Sequence, residues 1–232
     1  LKKIMNIRAV LFDLDNTLTH REQSITVFSQ RLANAYQSFL NQIDILEIKQ
    51  IIEYIDHGGY PLLERLTHKT IGASVAYALI EQLDWKSKPD PDELTQFWFD
   101  EFGLSAVPMS GAFSVLETLK QQNYKLAVVS NGGHATRQTI IKGLGFEHFF
   151  DEIISSERIG ISKPHPEIFL KSCALLGVSP QYSLFIGDHP VNDFMGAKDA
   201  GLKALLLEGF HEHDINDTTA KITRLSQIFE HL

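Results

Sequence analysis

Four short stretches of this sequence concentrate side chains able to attack, to move protons or to hold a cation. The first is Asp13-Leu14-Asp15-Asn16-Thr17 and the second Ser130-Asn131-Gly132-Gly133. The third is Lys163, just before Pro164-His165-Pro166, and the fourth is Gly187-Asp188-His189-Pro190-Val191-Asn192-Asp193. Carboxylates can act as nucleophiles, as general acids and bases, and as ligands for hard cations. A serine followed by glycine suits close approach of the backbone to an anion. Cys173 is the only cysteine, which excludes an intrachain disulfide and a multi-cysteine metal site. An all-oxygen donor set favours Mg²⁺ over zinc.

Each polar stretch must be placed by the element before it. Near-continuous apolar runs at Arg8–Leu14, Lys125–Ser130, Glu152–Ser155, Ser183–Gly187 and Lys203–Leu207 suit strands buried on both faces of a parallel sheet. Helical patterns fall between them, at Gly111–Gln122, Ala135–Gly143, Pro166–Leu176 and Asn192–Ala200. This alternation predicts βαβ units and an α/β fold. In an open parallel sheet, ligands collect beyond the carboxyl ends of the strands, where the four polar stretches would converge. Gly177 and Gly201 follow helical patterns and are expected to close them in the left-handed conformation. Cys173, inside the pattern IFLKSCALLG, is expected to be a small core residue.

The segment after the first strand reads differently. Helical patterns run over Ile25–Leu40, Ile43–Ile55, Ser74–Leu83 and Asp92–Phe102, with breaks at Gly58-Gly59 and at Pro89 and Pro91. Phe97-Trp98-Phe99 with Phe102 has the spacing of a helix's own core face, and Asp90, Asp92 and Glu93 suit a helix N-terminus. We expect a core of residues 1–20 and 106–232 interrupted by a helical insertion at residues 21–105. The tail after Gly209 is expected to form a loop and a final helix, with His211 and His213 solvated. His134, His165 and His189 are expected to be loop residues.

The 232 residues are 44% hydrophobic and 22% charged, ordinary for a globular protein. No apolar stretch approaches the roughly 20 residues that span a bilayer, and the run near the N-terminus reads as a strand rather than a signal peptide. A formal net charge of −8 repels a nucleic-acid polymer on average, while a local positive site can still hold a small phosphate ester. A cytoplasmic location and no membrane partner are expected.

On these residues the sequence resembles the haloacid dehalogenase (HAD) superfamily, in the branch with a helical cap inserted after the first motif. DLDNTLT is similar to its first motif, the serine after KLAVV to its second, Lys163 to its third and GDHPVND to its acidic fourth. The resemblance implies a Rossmann-like doubly wound parallel core with an all-helical cap. It also implies a Mg²⁺-dependent phosphohydrolase of a small phosphorylated metabolite, working through an aspartyl-phosphate. An attacking carboxylate and a phosphate ester repel by ~4 kcal/mol at about 4 Å and an effective dielectric near 20, so cations must offset that repulsion. Asp13 is then the nucleophile and a metal ligand, and Asp188 a second metal carboxylate. Asp193 binds the metal through water or orients its ligands. Asp15 is the general acid and base, with its backbone carbonyl on the metal. Ser130 and the N–H groups of Asn131 and Gly132 hold phosphoryl oxygens, Lys163 holds Asp13 and the phosphate, and Thr17 orients the first loop. Dehalogenases of the family lack an aspartate at the position of Asp15, and phosphonatases carry a small residue there. A phosphomutase, or a catalytically silent phosphate- and metal-binding regulatory protein, stays open. In the cap, His20, Arg21 and the loop Asp56-His57-Gly58-Gly59-Tyr60 are expected near the leaving group.

Overall fold

The computed structural model describes residues 6–211 and 220–232. The chain divides into two compact units, one of residues Leu1–Thr19 with Pro108–Leu232 and the other of His20–Val107. No helix among the described residues is long and apolar enough to cross a membrane.

Strand β1, Ala9–Phe12, consists of four fully buried apolar residues. The helical unit follows, with α1 Arg21–Ala35, α2 Ile45–Asp56, α3 Ile71–Gln82 and α4 Pro91–Glu101. The chain then continues through α5 Ala112–Gln121, β2 Lys125–Ser130, α6 His134–Gly143, β3 Glu152–Ser155, α7 Ser156–Ile159, α8 Pro166–Leu176 and β4 Ser183–Gly187. A π-helical turn, Pro190–Met195, runs into α9 Gly196–Asp199 before β5 Lys203–Leu207 and β6 Lys221–Ile222. The six strands lie in the order β3-β2-β1-β4-β5-β6, and every adjacent pair is parallel. Chain progress reverses beside β1, since β2 and β3 extend one way and β4 to β6 the other, and in open sheets of this kind ligands bind beyond the strand ends at such a switch point. One hydrophobic cluster gathers Leu11, Val129, Ile154 and Phe185 of the strands with Ile168, Phe169 and Cys173 of α8. Cys173 is therefore the buried core residue its pattern implies.

Capping explains where helix ends depart from the apolar periodicity. Thr70 accepts from Ala73 N and starts α3 three residues before Ser74. His20 precedes α1, which stops at Ala35 rather than Leu40, and Leu40 instead bridges Trp85. Gly177 and Gly201 take the left-handed conformation as expected. The expected helix Asn192–Ala200 begins earlier, as a π turn. The C-terminal segment ends in a helix as expected, of the 3₁₀ kind over Leu225–Glu230, but it also carries a strand the pattern did not show, Lys221–Ile222 paired with β5. His213 lies outside the described residues.

The helical unit has a core of its own, in which Phe28, Trp98 and Phe102 meet and the rings of Trp98 and Phe102 stack 4.4 Å apart. Gly72 allows this, because a Cβ there would lie 2.4 Å from Trp98 Cδ1. Arg21, read from sequence as a ligand contact, is instead buried against Asp56, with Nε 3.1 Å from Oδ2 and Nη2 2.5 Å from Oδ1. Its guanidinium also covers the Phe102 ring at 4.6 Å. Removing one partner of such a pair strands a buried charge. Arg21→Ala is expected to lower stability by about 3–5 kcal/mol, whereas Arg21→Met with Asp56→Leu costs less than that single change. Urea denaturation of the three proteins checks the order.

Candidate active site

The Asp13 N–H donates to Ile186 O at 2.8 Å, continuing the β1–β4 ladder one residue past β1. This sets the Asp13 carboxylate at the carboxyl edge of the sheet, level with the ends of β2 and β4. Leu14 and Leu18 are fully buried and anchor the loop that follows. The N–H groups of Leu18 and Thr19 both donate to Leu14 O at 2.9 Å, and Asn16 adopts a positive φ of 56°. Thr17 is fully buried, and its Oγ1 has no hydrogen-bond partner among the described residues.

Lys163 reaches this edge from the loop before α8. The Asn131 side chain fixes that loop at both of its backbone polar groups, accepting from Lys163 N at 2.8 Å and donating to Lys163 O at 3.0 Å. Lys163 Nζ then donates to Asp13 Oδ1 at 2.5 Å and to Asp193 Oδ1 at 2.6 Å. Asp193 comes from the π turn after β4, and its Oδ2 accepts from His189 N at 3.0 Å. It therefore caps that turn and meets Lys163 at once. Gly187 is required beneath it, since a Cβ there would lie 2.4 Å from Asp193 Cγ. Asp188 is buried beside it, and one oxygen each of Asp13, Asp188 and Asp193 lie within 4.8 Å of one another.

Three features of this edge were not legible. Arg137, in the first turn of α6, donates from Nη1 to Asp15 Oδ2 at 2.5 Å and to Ser130 Oγ at 3.3 Å. A hint existed in the sequence: a cation in a first helical turn opposes the helix dipole and calls for a nearby carboxylate. His211, expected to be solvated, has Nε2 3.0 Å from Asp188 Oδ2, having been carried there by β5, the neighbour of β4. The Gly132 N–H, expected to face phosphoryl oxygens, donates to Ser156 Oγ at 2.9 Å and is occupied. His165 and His189 use Nδ1 to cap the helical turns that follow them.

A family model described as haloacid dehalogenase-like hydrolase matches residues 7–201. The chain is 30% identical over 212 residues to glyceraldehyde 3-phosphate phosphatase of Methanopyrus kandleri, covering 84% of this chain and 82% of the relative. It is 27% identical over 200 residues to pyrophosphatase PpaX of Bacillus cereus, covering 86% and 82%. The fold is similar to that of the HAD-hydrolase YfnB from Bacillus subtilis, solved bound to magnesium. There the TM-score is 0.72 and the identity 24%, covering 98% of this chain and 99% of the other.

The charges at the edge do not balance by themselves. Three buried carboxylates face the Lys163 ammonium, and Asp13 Oδ2 is buried without a hydrogen-bond partner among the described residues. Burial pushes the Asp13 carboxyl up to about 7, with Asp193 adding to the rise and Lys163 opposing it. Burial raises Asp188 and Asp193 as well, against His211 and Lys163 respectively. Burial alone would lower Lys163, but Asp13 and Asp193 hold it above the ordinary lysine value. An orphaned carboxylate oxygen and an excess of buried negative charge fit a divalent cation with oxygen ligands. Without the cation, Asp13 binds its proton more tightly in the folded than in the unfolded chain. Its contribution to stability is full below the ordinary aspartate value of 3.8 and is lost as pH rises through about 7. In EDTA, Asp13→Asn is therefore expected to be more stable than the parent by about 1–3 kcal/mol at alkaline pH. The gap should close toward pH 4, as urea melts across that range would show.

Proposed function

Because the chain belongs to the haloacid dehalogenase-like hydrolase family, we propose that it is a Mg²⁺-dependent phosphohydrolase of small phosphorylated metabolites, working through an aspartyl-phosphate on Asp13. The observation that carries this reading is the buried Lys163 shared by Asp13 and Asp193, with Asp188 alongside and one oxygen of Asp13 left over. Asp13 Oδ2 attacks phosphorus while Lys163 steadies Oδ1 and offsets the charge of the incoming phosphate. The Ser130 hydroxyl and the Asn131 N–H hold phosphoryl oxygens. Asp15 gives its proton to the departing alkoxide, then takes one from the water that hydrolyses the acyl-phosphate and restores the Asp13 carboxylate.

Asp13 and Asp188, with the Asp15 carbonyl and with Asp193 directly or through water, would hold Mg²⁺. When bound, it supplies the positive charge that offsets repulsion between carboxylate and phosphate. The relatives named for glyceraldehyde 3-phosphate and pyrophosphate support a small phosphorylated substrate. The helical unit His20–Val107 is assigned as the specificity-bearing cap.

The purified protein is expected to hydrolyse p-nitrophenyl phosphate and some members of a metabolite phosphate panel with Mg²⁺ but not with EDTA. Asp13→Asn should lose at least about 10³-fold in kcat. Turnover that persists in that variant or in the chelator would overturn the reading.

A further inference from the structure

The mechanism above gives no work to Arg137, yet the structure is shaped around it. The residue is 9% exposed and sits in the first turn of a helix, where a cation is disfavoured. Its Nε is buried without a hydrogen-bond partner among the described residues, and leaving a buried donor unsatisfied is costly. Gly132 makes room for it at a φ of +129°, since a Cβ there would stand 2.9 Å from Nη2 and 3.1 Å from Cζ. A single nitrogen, Nη1, joins Asp15 Oδ2 to Ser130 Oγ.

We infer that Arg137 is a positioning residue, which ties Asp15 to the Ser130 end of β2 so that Asp15 Oδ1 addresses the leaving-group oxygen. The inference rests on the reading of Asp15 as acid and base. In the first step a bond forms between Asp13 Oδ2 and phosphorus, and the bond from phosphorus to the ester oxygen breaks with its electron pair going to oxygen. That oxygen takes the proton from Asp15. In the second step a water oxygen bonds to phosphorus, the Asp13–phosphorus bond breaks, and the water proton passes to Asp15, leaving inorganic phosphate. Holding Asp15 matters in the first step in proportion to how badly the departing oxygen needs a proton. An alkoxide needs one, while a nitrophenolate leaves without it. The kcat/KM value reports binding and that step but not hydrolysis of the aspartyl-phosphate, which comes after it.

The experiment compares kcat/KM of the parent, Arg137→Gln, Asp15→Asn and the double variant with Mg²⁺. The substrates are p-nitrophenyl phosphate and the best alkyl phosphate of the panel, beginning with β-glycerophosphate. Arg137→Gln is expected to lose about 10²-fold on the alkyl ester and less than about 3-fold on the aryl ester. The double variant should be no worse than Asp15→Asn on the alkyl ester, since the arginine acts through that residue. Retained aryl turnover shows that the variant folds. Equal losses on both esters would overturn the inference and make Arg137 a phosphoryl ligand. No loss on either ester would overturn it too, as would a parent enzyme that turns over only the aryl ester. A parent inactive on every ester overturns the phosphatase reading itself, a result distinct from all three.

Discussion

Three carboxylates buried around one ammonium set the terms for the carboxyl edge of this sheet. Burying an isolated charge is prohibitive, and even a good ion pair must recover a desolvation penalty. Lys163 therefore has to be held where two carboxylates can share it, and several unrelated features serve that end. The β1–β4 ladder carries Asp13 to the edge, and Asn131 clamps the lysine's backbone at both polar groups. Gly187 leaves room for Asp193 to lie flat on the end of β4. The excess of negative charge that remains makes the edge receptive to a cation, while burial first, and Asp193 after it, makes Asp13 hold its proton more readily than an ordinary aspartate.

The helical unit offers a contrast under the same physics. Arg21 and Asp56 are also buried, but their pairing is closed: two nitrogens meet two oxygens, and Gly59 N donates to Asp56 Oδ2 at 3.0 Å. Both charges are answered within the unit, so the pair orders α1 against the end of α2. At the sheet edge, an oxygen of Asp13 and the Nε of Arg137 have no hydrogen-bond partner among the described residues. Incomplete pairing in a buried polar cluster is tolerated where function requires it, and closed pairing needs no such explanation.

This distinction is invisible in sequence, where Arg21 was read as a cap residue near the leaving group and its closed pairing with Asp56 left no trace. The strands were legible because both faces are buried, which turns Ala9–Phe12 and Ser183–Gly187 into unbroken apolar runs. Helix ends were less so, because a cap such as Thr70 outranks apolar periodicity. The two-residue strand Lys221–Ile222 has no pattern of its own and exists only through its pairing with β5. Asp13, Asp15, Ser130, Lys163, Asp188 and Asp193 could be picked out because strand ends mark the crevice of an open sheet. Arg137 and His211 escaped because their contacts depend on which turn of α6 faces β1 and on the neighbour that β5 chooses. Neither is a local property of the chain.

The Arg137 contact that sequence missed bears on how one loop would divide the two roles proposed for it. Asp13 and Asp15 are two residues apart, so a uniform environment would give them the same role. The structure separates them by giving each its own cation from a different element, Lys163 for Asp13 and Arg137 for Asp15. Buried Leu14 stands between them as a fixed spacer. Paired carboxylates take different tasks when their surroundings differ. The proposed nucleophile needs an oxygen left unengaged beside a cation, and Asp13 Oδ2 has no hydrogen-bond partner among the described residues. A proton carrier needs a fixed direction more than a high charge density, and a guanidinium bridging to Ser130 supplies direction. The division of labour proposed within DLD thus rests on residues about 120 to 150 positions away in the chain, and the doubly wound topology is what brings them to one edge.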